Sequence, residues 1–519
     1  MPRMDKMEIH EAAVEILNLF KEGKIKNKED LQKQKIRVSK EKRIPVIRNS
    51  SILELMSKED SKFFLDILQI KPSRTQSGVS PVAIMTSPHP CPHGVCIYCP
   101  GGMGNNSPQS YTGHEPAALR GAQNNYDPYK QVISRLKTLE ETGHSIDKID
   151  MIIMGGTFPA RNPLYQKWFV KRAFDAVNGV DSPTIESALL YNETAKKRVI
   201  GLTVETRPDQ FNSEQRALAL SYGTTRVELG VQCLDDMVLD HVNRKHTVQD
   251  VINVTKGIKN DGFKVIYHIM PGLPGMNPEK DLENFKRLFE DESFRPDMLK
   301  IYPTLVVKGT KLYEMWSKGE YKPYNTEEAS DLISRMKEIV PPYVRIQRIQ
   351  RDIPVKMIVD GVKASNLREI AQQKLKERGK KCNCIRCREA VRNNKSNDKL
   401  KLNIMNYEAS QGTEYFISMD SEDNMIYGYL RLRYIPKENK AIIREVKVLG
   451  NEVPISVMPS TKNEVQHRGI GKTMISEAEE IAKSMGTKEI YVLSGVGVRE
   501  YFMKLGFEKK LPYLAKKLI

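Results

Sequence analysis

Seven cysteines stand in the 519-residue chain, and six of them fall in two tight triplets. The first reads Cys91-Pro-His-Gly-Val-Cys96-Ile-Tyr-Cys99, the second Cys382-Asn-Cys384-Ile-Arg-Cys387, and Cys233 stands alone. An odd count in two triplets is not a secreted disulfide framework; it predicts two metal sites and a spare thiol in a reducing compartment. Three thiolates within nine residues can bind three irons of a [4Fe–4S] cluster and leave the fourth iron open. An open iron is what chelation and reductive cleavage of S-adenosylmethionine require. Tyr98, just before the last cysteine, is placed to present a ring face to that cofactor. The alternative, structural zinc, needs a fourth ligand, for which His89 or His93 is available.

The second triplet lies among Lys380, Lys381, Arg386 and Arg388, charges that favour thiolate and hence metal. It supplies three of the four ligands of a zinc site, leaving water, a carboxylate or Cys233 for the fourth. A third chemical feature is Gln466-His-Arg-Gly469-Ile470-Gly471-Lys472, a Q-x-x-G-x-G run ahead of an amphipathic stretch with Met474, Ala478, Ile481 and Ala482. Its glycines let backbone approach a pyrophosphate, and the helix that follows offers free N–H groups.

The elements that must carry these residues change class along the chain. Residues 1–75 predict a small helical region, with Ile9, Ala13, Ile16, Leu17 and Phe20 on one stripe. The run Lys21–Arg48 within it holds eleven Lys/Arg against four acids. Over 76–360 six apolar runs (Val82–Met85, Met151–Met154, Val199–Val204, Arg226–Val231, Phe263–Met270 and Met298–Tyr302) alternate with helical stretches. That pattern predicts an α/β fold, a parallel sheet closed partly or wholly into a barrel, with chemistry at the strand C-terminal ends. Gly155-Gly156-Thr157, Glu205-Thr-Arg207 and Gln232 fall at such ends. A basic linker is expected at 361–402, and an α+β domain of adjacent strands and one long helix at 403–519. The net charge of +17 points to a polyanionic partner. No run of about 18 apolar residues and no leader-like start is seen, so a cytoplasmic protein without a membrane anchor is expected.

With these residues in place, the first loop resembles the radical S-adenosylmethionine superfamily, in a C-x4-C-x2-C form. Met154-Gly155-Gly156-Thr157 is similar to its glycine motif, whose backbone pairs with the methionine amino group. Glu205 resembles the polar strand end that contacts the ribose, with Arg207 beside it; a rim salt bridge is the plain alternative for both. Residues 410–519 resemble the GNAT acetyltransferases. That likeness implies that Glu445, Val446, Lys447 and Val448 pair with pantetheine while Gln466, Gly469, Ile470, Gly471 and Lys472 bind pyrophosphate. Many GNAT enzymes carry a general-acid tyrosine where this chain has Phe502, which cannot protonate a thiolate; Tyr501 is the available substitute.

Both halves on one chain resemble the family of the Elongator catalytic subunit, in its archaeal type. Further shared motifs are Gln109-Ser-Tyr-Thr-Gly113, Glu228-Leu-Gly-Val-Gln232, Gln350-Arg-Asp-Ile-Pro354 and Ser494-Gly-Val-Gly497. The resemblance implies carboxymethylation of the tRNA wobble uridine (position 34), with the anticodon stem-loop as partner. A 5′-deoxyadenosyl radical takes hydrogen from the methyl group of acetyl-CoA, the carbon radical adds to uridine C5, and thioester hydrolysis leaves 5-carboxymethyluridine. By the same likeness Lys148 contacts acetyl-CoA, and Cys382, Cys384 and Cys387 form a zinc linker. A homodimer is compatible with the sequence; accessory subunits are not implied. Two rivals are a protein-lysine acetyltransferase, which leaves the iron site unused, and a non-catalytic tRNA-binding scaffold. A methylthiotransferase is disfavoured because no cysteine precedes Cys91.

Overall fold

The computed structural model describes residues 6–69, 78–393, 399–449 and 469–518. The expected pyrophosphate contact Gln466 lies outside them. Four helices (Lys6–Lys21, Lys28–Glu41, Asn49–Leu53 and Lys58–Leu68) pack around Ala13, Ile16, Phe20, Leu31, Val38 and Ile52. Asn27 and Ser57 cap the second and fourth by accepting the N–H of Asp30 and Asp60, which satisfies otherwise unbonded first-turn donors. The Gln69 side chain then ties this unit to the next by donating to the Gly143 carbonyl at 3.0 Å.

Seven parallel strands follow: β1 (Val79–Met85), β2 (Lys148–Met154), β3 (Arg198–Thr206), β4 (Arg226–Gln232), β5 (Lys264–Ile269), β6 (Met298–Ile301) and β8 (Arg345–Ile349), hydrogen-bonded in that order. A two-stranded pair of β7 (Val306–Val307) and β9 (Ile358–Asp360) sits beside them. Successive parallel strands need crossovers, and the intervening helices supply them on the outer face. The sheet is an open, partial barrel, since β1 and β8 are not paired. Alternation sorts the side chains: Ile149, Met151 and Ile153 of β2 pack against the helices with Val132, Leu136 and Phe169. Asp150, Thr203, Glu205, Arg226, Glu228, His268 and Lys300 fall on the opposite, lumenal face. Six strands were expected in this sheet. The seventh, Arg-Ile-Gln-Arg-Ile, has only Ile346 and Ile349 as apolar residues and so lacks the apolar run that marks a buried parallel strand.

The C-terminal sheet runs β10 (Leu400–Glu408), β11 (Thr413–Ser421), β12 (Ile426–Ile435), β13 (Lys440–Val448), β14 (Glu489–Val492), β16 (Tyr513–Lys517) and β15 (Glu508–Lys510). β10 straddles the expected boundary at 402/403. β13 pairs antiparallel with β12 through a bulge at Arg431/Leu432 and parallel with β14 only over Ala441–Ile443. The helix Ile470–Ser484 covers this sheet with Met474, Ile475 and Ala478.

The barrel and the C-terminal sheet meet through buried charge. Asp297, just before β6, binds Arg444 at 2.6 and 2.8 Å, and Arg444 also binds Glu414 at 2.8 Å. Glu414 further holds Arg433 at 3.0 Å and Lys259 at 3.5 Å, while Arg431 holds Glu445 at 2.9 Å. These side chains are 0–9% exposed. Opposed arginines hold Asp297 and Glu414 well below the usual carboxylate range despite burial, which alone would raise them. Removing one partner of such a network costs about 3–5 kcal/mol, because the remaining charge stays buried.

Candidate active site

Two cavities open at opposite ends of the barrel. The one at the strand C-terminal ends is lined by Cys91, Cys96, Tyr98, Gly156, Glu205, Arg207, Glu228, Arg244, His268 and Lys300, among others. Its cysteine loop follows β1. Cys96 and Cys99 are buried and Cys91 half-buried. The Cys99 sulfur accepts the Ser110 N–H at 3.2 Å, and the Cys96 sulfur lies 3.8 Å from Arg244 Nη1 and 3.2 Å from His93 Nε2. Burial pushes the Cys91 thiol up to about 11 and raises Cys99 as well, so thiolates here need a positive group between them.

The three sulfurs do not all lie within 4.8 Å of one another, unlike those of the second triplet. A single tetrahedral zinc draws its thiolates to about 3.8 Å apart. The wider spread of the first triplet suits a multinuclear centre better than a single zinc. His89 bonds instead to the Pro90 carbonyl at 2.9 Å.

The end of β2 fits a ligand that needs bare backbone. Gly155 and Gly156 have φ of +128° and +94°, which L side chains rarely adopt. A Cβ on Gly155 would collide with Thr86, and one on Gly156 would sit 3.2 Å from Gln109 Cβ and 3.9 Å from the Cys91 sulfur. Across the mouth, Glu205 accepts the Tyr111 hydroxyl at 2.8 Å. Burial, with the Glu228 charge next, pushes Glu205 up to about 7. Glu228 is held charged by Lys300 and by His268 at 2.7 Å. Arg207 spends Nε and Nη2 on Asp209, both at 2.8 Å, while its buried Nη1 has no partner. Tyr98 is buried with its hydroxyl unpartnered.

The second cavity lies at the N-terminal ends of the strands, against the C-terminal sheet. Lys148, Asp150, Gly201, Arg226 and Lys264 form its floor; Glu445, Val446, Lys447, Val448, Leu493 and Phe502 form its other walls. Past Ile443 the edge of β13 no longer pairs with β14, so Glu445–Val448 present strand groups that an extended amide chain can bond. Gly469, with φ +86°, precedes the helix Ile470–Ser484, whose first-turn N–H groups have no intrahelical acceptors. Tyr501 is elsewhere: 43% exposed, its hydroxyl stands 2.9 Å from where a Gly471 Cβ would be. Phe502, not Tyr501, lines the cleft.

The second cysteine triplet sits at the joint. Cys382, Cys384 and Cys387 converge within 4.8 Å, with no fourth His, Cys, Asp or Glu in that group among the described residues. Lys337 reaches the Cys387 sulfur at 3.5 Å. Cys233 is not in that group; its thiol faces the Asp235 carbonyl beside the barrel mouth. Sequence reasoning gave no role to Tyr111, Glu228, His268, Lys300 or Arg244. Glu228 stood inside a quoted motif, but only the register of β4, β5 and β6 brings Glu228, His268 and Lys300 together.

Comparison with known proteins agrees with this division. The radical SAM superfamily profile matches residues 87–288, a radical SAM C-terminal domain 296–377, and the GNAT acetyltransferase family 385–507. The tRNA uridine(34) acetyltransferase of Methanocaldococcus jannaschii is 47% identical over 97% of this chain and 96% of its own. Elongator complex protein 3 of Saccharomyces cerevisiae is 40% identical over 91% and 88%. The solved archaeal Elp3 of Methanocaldococcus infernus, lacking its N-terminus, superposes with a TM-score of 0.76 at 42% identity, covering 85% of this chain and all of that one. A radical SAM barrel fused to a GNAT sheet, with relatives of this identity along nearly its whole length, makes the chain a member of the family of the tRNA uridine(34) acetyltransferases and Elongator complex protein 3.

Proposed function

We propose that the chain carboxymethylates C5 of the wobble uridine of tRNA, using acetyl-CoA as carbon source. The observation that carries the reading is the pair of cavities at the two ends of one barrel, one built for a cluster and the other for a pantetheine arm. When bound, the cluster and S-adenosylmethionine supply a carbon-centred radical able to take hydrogen from an acetyl methyl group. The residues do the rest. Cys91, Cys96 and Cys99 hold the cluster while Arg244 offsets its sulfur charge. Gly155 and Gly156 give backbone access to the methionine end, and Glu205 faces the ribose side. At the floor, Glu445–Val448 align the pantetheine arm, Gly469–Lys472 receive the pyrophosphate, and Lys148 meets the thioester end. Tyr501 acts at the pyrophosphate loop and not as an acid at the thioester.

Zinc at Cys382, Cys384 and Cys387 fits a structural role, since Glu389 next to them pairs with Arg345 of β8 and Arg388 bonds Asn424 at 2.7 Å. For tRNA, the exposed Lys26, Lys33, Lys40, Arg43 and Arg48 are the better candidates. The connector's Lys374, Arg378 and Lys380 are engaged by Glu327, Asp331 and Glu338. The test is anaerobic reconstitution followed by mass analysis of tRNA incubated with both cofactors. Methyl-deuterated acetyl-CoA must place deuterium in 5′-deoxyadenosine; unmodified tRNA under these conditions would sink the proposal.

A further inference from the structure

Resting on the placement of acetyl-CoA in the floor cleft, we infer that the barrel lumen is the passage by which the acetyl group reaches the mouth, and that the Asp150–Arg226 ion pair is its gate. Where β13 and β14 part, the segment Val496–Val498 packs onto β3. A side chain at Gly495 would collide with the Ile200 carbonyl, and one at Gly497 with Arg198. Backbone meets backbone there, which closes that wall of the cleft. What the cleft does open onto is the barrel floor at Asp150, Gly201, Arg226 and Lys264.

The barrier between floor and mouth is thin. On β4 the floor residue Arg226 and the mouth residue Glu228 are two apart, a rise of about 7 Å. On β3 and β5 the corresponding residues are Gly201 and Glu205, and Lys264 and His268, about 13 Å apart. One lumenal layer intervenes, made of Ile152, Thr203 and Ile266. Through it runs the Arg226 guanidinium, whose Nη2 donates to both Asp150 oxygens at 2.6 and 2.7 Å and whose Nε donates to Thr203 Oγ1 at 2.8 Å. The pair reaches from β4 over β3 to β2. Gly201 makes room for it, since a Cβ there would sit 3.0 Å from Asp150 Oδ1. Half-buried at the foot of the cleft, with side chains 12% and 30% exposed, this pair closes the lumen; a thioester carbonyl arriving from the cleft offers Arg226 another acceptor.

The test uses the full-length, cluster-loaded protein without S-adenosylmethionine, so that nothing turns over. Thr203→Cys is treated with bromoacetyl-CoA. The introduced thiolate attacks the methylene carbon, a C–S bond forms, and bromide leaves with the C–Br pair. Peptide mass analysis locates the adduct. The thiol at position 203 should react about tenfold faster than buried Cys233, and acetyl-CoA should protect it. Adding Asp150→Asn should accelerate the alkylation about another tenfold, as a freed guanidinium swings aside. Ile152→Cys is read in the same way if the first variant does not fold. Alkylation at both positions no faster than at Cys233, or indifferent to acetyl-CoA, overturns the passage. A rate unchanged by Asp150→Asn overturns the gate. The proposed function is judged separately: if wild-type enzyme modifies tRNA while both positions stay silent, the passage alone is wrong. Labelled thiols beside tRNA that is never modified would leave the passage and remove the function.

Discussion

Each triplet holds three cysteines, within nine residues in the first and six in the second, yet they build opposite environments. Cys91 and Cys96 lie in the wall of an open cavity, with Cys99 buried behind them against the Ser110 N–H and one buried arginine beside Cys96. Cys382, Cys384 and Cys387 converge in a packed joint beside Lys337 and Gln372. Hydrogen bonds from Cys382 and Cys387 hold the Cys384 thiol well below its usual range, while Cys382 is raised. Spacing therefore separates the two chemistries. A loop with four residues between its first two thiols can encircle a centre with a free face; a loop with one residue between them can only clamp.

The largest effect that would break this contrast comes from the first triplet. Cys96→Ala should abolish the cluster absorbance and all formation of 5′-deoxyadenosine, with the GNAT domain still folded by circular dichroism. Next, Cys384→Ala should release the zinc expected at one per chain and lower stability by about 3 kcal/mol, read by metal analysis and urea unfolding, with cluster absorbance retained. If that variant loses its cluster too, the triplets are not independent. Metal removal sharpens the same point: a zinc chelator at mildly acid pH, where protons compete with the metal for the thiolates, should loosen the joint in hydrogen exchange before the barrel mouth changes.

The smallest effect concerns charge at the mouth. Glu205 is pushed up to about 7 by burial and Glu228, so the folded chain keeps its proton at pH values where the unfolded chain has lost it. Stability from this group thus falls as pH rises from about 4.5 to 7. Glu205→Gln in the cluster-free protein should remove that slope and gain about 1 kcal/mol above pH 7. Equal urea midpoints for the two proteins at pH 5 and 8 would contradict it.

Much of this was legible in the residues because apolar runs, turn glycines and close cysteines are local signals. The helical stripe through Ala13, Ile16 and Phe20, the β2 run ending at Met154, and the glycines after it all lie in short stretches. What was missed is what only pairing creates. β8 hides behind its arginines, of which Arg345 packs in the joint against Glu389 and Arg348 lines the barrel mouth. β10 is an edge strand with no buried residue and four consecutive exposed ones, so it has no apolar face to stand out. The Glu228–His268–Lys300 set comes from three strands, and the placement of the Tyr501 hydroxyl beside Gly471 depends on how two helices meet.

The buried joint constrains how such a protein can have arisen. Asp297 and Lys259 belong to the barrel, whereas Glu414, Arg431, Arg433, Arg444 and Glu445 belong to the GNAT sheet. An unrelated acetyltransferase fused at this place would leave Asp297 stranded without its arginines, and an unrelated barrel would strand the arginines. The halves are consequently not interchangeable modules on a string. They can be inherited, lost or exchanged only together, as one electrostatic lock and its key.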